Sequence, residues 1–248
     1  MKNSSLVFRS LLLSLFIFST NSCGQNTQPS EREQLEEALK QVDSRLADGG
    51  SRIQHQRAEI LFRLERFEES VTAYDEAVKI KYPHNNDSCW ERGLAQYYAD
   101  DFEAGRDQFL RYHNVGALDI ENGLWRLMCI AEDEGIEKAR DSVLDYPNRV
   151  RVPFPALLDL YLGKGSPEAV IEQASDDAPA GRRRTANLFN AHYYIAKYYE
   201  MIDEYENAEP YIQNALEHQI PHFMYYCAQI DAKRISAELA KEENKEQP

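Results

Sequence analysis

Three stretches of this chain repeat one spacing of small and large side chains, and that spacing is compatible with few folds. Counting from residue 51, a small residue stands at position 8 (Ala58), large ones at 11 and 12 (Leu61, Phe62), 17 (Phe67) and 24 (Tyr74), and small ones at 20 and 27 (Ser70, Ala77). Counting from residue 189, Ala196, Tyr199, Tyr205, Ala208, Ile212 and Ala215 fall at matching places, and Pro221 closes that unit as Pro83 closes the first. Counting from residue 86, Gly93, Tyr97, Phe102, Gly105 and Phe109 fit, while Tyr112 takes the last small position, so looser packing is expected there. Small residues let two antiparallel helices approach closely, and large ones fill the gap to the next pair. Three such units predict an all-α solenoid of antiparallel helix pairs.

The pattern resembles the tetratricopeptide repeat (TPR), a helix–turn–helix unit of about 34 residues. The repeats span about 51–84, 86–119 and 189–221, inside a helical domain expected over 31–240. Ser30 and Glu33 form the ends of a capping box, which predicts a first helix over about 31–46 ended by Gly49-Gly50. Between the second and third repeats the units are degenerate. Helices are expected over 121–134, 136–144, 155–162 and 167–174, then a polar loop over 175–185. A helix over about 222–240 is expected to cap the stack, and 241–248, almost wholly polar, to form a disordered tail.

The N-terminus has the anatomy of an export signal. Lys2 and Arg9 precede an apolar run, residues 10–18, too short to span a bilayer permanently, and small polar residues then lead to Cys23. Residues 1–22 are therefore read as a signal peptide, Cys23 as a lipidated mature N-terminus, and 23–30 as anchor and tether. The exit resembles a bacterial lipoprotein signal: Ser22 and Gly24 fit, while Thr20 stands where the pattern prefers Leu. Ordinary cleavage near Ser22, giving a soluble periplasmic protein, is the competing reading. Gly24 rather than Asp after the cysteine implies, by the same resemblance, the outer membrane, facing the periplasm. Of the remaining cysteines, Cys89, Cys129 and Cys227 fall within helical patterns and are read as small buried side chains. One disulfide among them stays open in an oxidising compartment.

The formal net charge of −14 argues against nucleic acid and against adsorption to anionic lipid, both of which repel acidic surfaces. No dinucleotide fingerprint, phosphate loop, nucleophile elbow or paired-histidine zinc motif is present, so neither catalysis nor a cofactor is expected. His218 and His222 have ligand-like spacing, but Pro221 interrupts the helix that would align them, and no metal site is assigned to them. Arg182-Arg-Arg184 is a lone basic cluster, read as part of the solvated loop. TPR stacks usually bind through the concave face of each first helix. That face would carry Phe62 and Arg63 in the first repeat, Trp90, Leu94, Tyr97 and Tyr98 in the second, and Tyr193 and Lys197 in the third. The aromatic group is read as an anchor for a protein partner; the competing reading is that each ring packs against the next helix.

The order of these features resembles the NlpI-like TPR lipoproteins of Gram-negative envelopes. The residues that carry the resemblance are Leu124–Ala131, Leu158–Gly163, Asn190–Tyr199, Asp203–Ala208 and His218–Phe223. It implies a non-catalytic adaptor that forms homodimers partly through N-terminal helices and brings a periplasmic protease to peptidoglycan hydrolases. A structural lipoprotein of a secretion, pilus or outer-membrane assembly machine is the alternative; a secretin or barrel-assembly partner would mark it.

Overall fold

A computed structural model of the chain describes residues 29–81, 86–117, 119–147, 150–176 and 179–246. The signal peptide, Cys23 and Pro83 lie outside the described residues. The fold is all-α. Twelve helices follow in chain order among the described residues: α1 (Glu31–Asp43), α2 (Ser51–Arg63), α3 (Phe67–Lys81), α4 (Trp90–Tyr98), α5 (Phe102–Tyr112), α6 (Ile120–Glu134), α7 (Ile136–Asp141), α8 (Phe154–Tyr161), α9 (Pro167–Asp176), α10 (Arg182–Met201), α11 (Tyr205–Glu217) and α12 (Phe223–Glu246). None of the described helices is long and apolar enough to cross a membrane.

Five antiparallel hairpins, α2/α3 through α10/α11, stack in sequence as the repeats require. The small positions sit where the helices of a pair touch. Ala58 on α2 and Ser70 on α3 are fully buried, and the Ser70 hydroxyl donates to the Ala58 carbonyl at 2.8 Å. Gly93 and Gly105 repeat this contact between α4 and α5: a Cβ built on Gly105 would lie 3.4 Å from the Gly93 carbonyl oxygen. In the last hairpin Ala196 and Ala208 are fully buried. At Tyr112, the large residue at a small position, α5 gives way to a π-helical turn over His113–Ala117.

Local signals set most helix ends. Both halves of the capping box at Ser30 and Glu33 form, and Gly49 and Gly135 turn the chain with φ of 68° and 91°, which side chains disfavour. Three ends differ from the sequence reading. The first α-helix stops at Asp43, and a 3-10 turn over Leu46–Asp48 replaces its expected last turn. α10 starts at Arg182, so Arg182-Arg-Arg184 forms its first turn rather than a loop. α12 continues to Glu246, through six residues assigned to the disordered tail. The middle hairpins are bound to α10 through buried polar bonds: Trp125 Nε1 donates to Tyr194 Oη at 3.0 Å, and Tyr161 Oη donates to the Tyr194 carbonyl at 2.9 Å.

Candidate functional site

The concave face is not open. α12 runs along it, and the first half of that helix is apolar around much of its circumference, burying Met224, Cys227, Ala228, Ile230 and Ile235 together with Asp231. The expected binding residues become the walls that hold this helix. Phe62, Leu94, Tyr97, Tyr98, Tyr193 and Lys197 are all buried. The Phe223 ring packs on Phe62 at 4.8 Å between centroids and stands edge-on to Trp90 at 5.8 Å. All six are buried rather than displayed on an open face, and Phe62, Tyr98, Tyr193 and Lys197 meet side chains of α12 directly. Only Arg63 and Trp90 of the eight keep part of their surface exposed.

At the centre of the contact lies a buried polar network. The hydroxyls of Tyr98 and Tyr193 both donate to Asp231 Oδ2, at 2.7 and 2.9 Å. Lys197 Nζ lies 3.6 Å from Asp231 Oδ1 and donates to Glu200 Oε2 at 2.6 Å. Arg234 Nη2 donates to the Tyr98 carbonyl at 3.2 Å and its guanidinium sits 4.9 Å from the Tyr98 ring centre. Burial, reinforced by the Asp231 charge and opposed by Lys197, pushes the Glu200 carboxyl up to about 7. The tyrosines are held far above their usual range, chiefly by burial, so they act as neutral donors. Glu200 and Arg234 also line a cavity of about 280 Å³ with Tyr97, Glu132 and Tyr205; the buried part of the arrangement fixes a helix.

What stays open is the cleft between α1, α2 and the head of α12. Two adjoining cavities of about 280 and 520 Å³ share Leu35, Arg63 and Tyr226 as walls. Ala38, Ile60 and Phe223 add apolar surface and Glu59 an acidic rim. The Arg63 guanidinium lies 4.1 Å from the Tyr226 ring centre and donates to Glu31 at 2.9 Å. Its Nε is buried and finds no hydrogen-bond acceptor among the described residues. Of these residues the sequence placed Arg63 and Glu59 on the concave face of the first repeat and Leu35 on the apolar stripe of the first helix. Tyr226 and Leu35 sit on helices at either end of the chain, and no local pattern reports that they meet.

Cys89, Cys129 and Cys227 are free thiols and buried, as small core residues should be. His218 and His222 do not converge. The His218 ring stacks on His192 at 5.8 Å, while His222 stacks parallel to Trp90 at 6.0 Å. One other group of mixed donors does converge: a nitrogen of His55, the sulfur of Cys89 and an oxygen of Glu91 all lie within 4.8 Å of one another.

No family model matches the chain. Among solved structures it is similar to MamA, from residue 41 to the end, of Desulfovibrio magneticus RS-1, with 15% identity and a TM-score of 0.41 over 75% of this chain and 86% of that one.

Proposed function

We propose that this protein is a non-catalytic adaptor of the bacterial cell envelope that binds other proteins through the cleft between α1, α2 and the head of α12. The observation that carries the reading is the cleft itself. It joins apolar walls to an arginine whose Nε has no acceptor, which is how a pocket for a side chain or carboxylate of a partner is built. The export signal at residues 1–22 and the lipoprotein-like Cys23 support a station at the outer membrane, facing the periplasm. The resemblance to NlpI-like lipoproteins supports a periplasmic protease and peptidoglycan hydrolases as the proteins brought together, and a homodimer as the working form.

The test is capture from native membranes after mild crosslinking, comparing the natural chain with an Arg63→Glu, Tyr226→Ala variant, both identified by mass spectrometry. A protease or wall hydrolase enriched by the natural chain and lost from the variant supports the adaptor and its cleft. Capture of a secretin or barrel-assembly component moves the function to the assembly-machine alternative. Equal capture by both chains removes the cleft as the site.

A further inference from the structure

We infer that His55, Cys89 and Glu91 form a binding site for a single zinc-like divalent metal ion, clamping the first hairpin to the second. The three residues come from different places. His55 lies on α2, Cys89 is the residue that precedes α4, and Glu91 is in the first turn of α4. Their donor atoms lie within 4.8 Å of one another, and His55 Nε2 is 3.6 Å from Glu91 Oε1. Bonds of about 2.0–2.3 Å in a tetrahedral shell set neighbouring ligands about 3.4–3.7 Å apart. The imidazole and carboxylate already stand at that separation, and a modest rotation of Glu91 or Cys89 brings the sulfur into it.

Burial adds an independent reason for an ion. The Cys89 side chain is fully buried and Glu91 keeps only 12% of its side chain exposed. Glu91 Oε2 is buried and accepts no hydrogen bond from the described residues. A carboxylate oxygen stripped of water without a donor is costly, and native structures fill such a place with a bound water or a cation.

The other face of the imidazole is also prepared. His55 Nδ1 lies 3.9 Å from Glu59 Oε1, one helical turn further along α2. A histidine that gives one nitrogen to a metal typically donates the other N–H to a carboxylate, which fixes its tautomer and orientation. Glu59 is placed for that role. The donor set of one thiolate, one imidazole and one carboxylate favours a borderline-soft ion over magnesium or calcium, which prefer oxygen alone. Three protein ligands leave a fourth position for water.

The site adjoins the partner-binding cleft: Glu59 lies on the rim of that cleft, and Trp90, between two of the ligands in sequence, packs on the head of α12.

The experiment strips the purified full chain with a chelator and titrates it with Co²⁺, then Zn²⁺. One equivalent of Co²⁺ should give thiolate-to-metal charge-transfer absorption and the intense visible bands of four-coordinate cobalt. Zn²⁺ should displace it and raise the unfolding temperature. Cys89→Ser should abolish the charge-transfer band, and Cys129→Ser should leave it. Glu91→Gln should weaken binding at least about tenfold while leaving the helical circular dichroism of the metal-free chain unchanged. A six-coordinate cobalt spectrum without charge transfer would overturn the site, as would a band that survives Cys89→Ser. Undiminished affinity in Glu91→Gln would do so too.

Discussion

A lysine with 0% exposure persists only where its charge is matched. Lys197 serves two carboxylates, Glu200 and Asp231, and its ammonium lies 5.0 Å from the centre of the Tyr97 ring. Asp231 takes two tyrosine hydrogen bonds, while burial pushes the Glu200 carboxyl up to about 7. Lys197→Met leaves two carboxylates buried without a cation, and is expected to cost about 3–5 kcal/mol in urea unfolding at neutral pH. The pH response has a definite sign. Glu200 binds its proton more tightly in the folded chain, at about 7, than in the unfolded one, near the ordinary glutamate value of 4.5. Between those values the folded state holds more protons, so this group's contribution makes stability fall as pH rises through the window and level off above it. Relative to Glu200→Gln, the natural chain should lose about 2–3 kcal/mol between pH 4.5 and 7.5. Parallel stability curves for the two chains would refute the assignment. None of this was legible in the sequence, where Lys197 and Asp231 are separate polar residues on separate helices. Likewise His55 and Cys89 carry no shared motif, because only the stacking of α2 on α4 brings them together.

At the scale of the element, the sequence was read correctly wherever a local steric rule governs. Positions 8 and 20 of a repeat must be small because two helices touch there, and Ala58, Ser70, Gly93, Gly105, Ala196 and Ala208 all do. The rule has a measurable consequence at Gly93, where an added Cβ would lie 2.8 Å from Phe109 Cζ, a fully enclosed ring. Gly93→Ala should cost about 1–3 kcal/mol by overpacking in spite of alanine's better helix propensity. A gain in thermal stability instead would mean that α4 and α5 have room to separate. What local rules left out was the place of α12. Spacing predicted a cap on the end of the stack, and α12 does pack on α11; what spacing did not report is that the same helix also reaches into the groove, where Phe223 meets Phe62 and Asp231 meets Tyr98 and Tyr193. A signal was present: Phe223-Met-Tyr-Tyr-Cys-Ala-Gln-Ile is apolar on nearly every side, and a helix apolar all round is one that is buried all round. Tyr97, Tyr98 and Tyr193 are accordingly core residues, as the packing alternative for these rings expects.

That one helix changes the behaviour expected of the whole molecule. In an open solenoid each repeat touches only its neighbours, so stability is nearly a sum along the stack and parts can unfold separately. Here α12 reaches across the stack. Lys233 pairs with Glu65 just after α2 at 2.6 Å, Asp231 and Arg234 bond Tyr98 of α4, Asp231 bonds Tyr193 of α10, and Tyr225 Oη donates to the Leu216 carbonyl of α11 at 3.1 Å. Contacts 133 and 168 residues apart in sequence close the array on itself. Melting either end therefore strips the groove of α12 and exposes the aromatic walls at the other. Both tryptophans, Trp90 on α4 and Trp125 on α6, report on the N-terminal and middle hairpins, whereas helical circular dichroism reports on the whole chain. Urea unfolding followed by tryptophan fluorescence and by circular dichroism should give one coincident transition, the signature of a single cooperative unit. A chain ending at His222 should lose that coincidence and bind a hydrophobic dye, because Phe62, Tyr98 and Tyr193 would then line an uncovered channel. If the full chain instead unfolds in two separated steps, α12 is docked on the groove without coupling its ends. The concave face would then be free to exchange its own helix for a partner's.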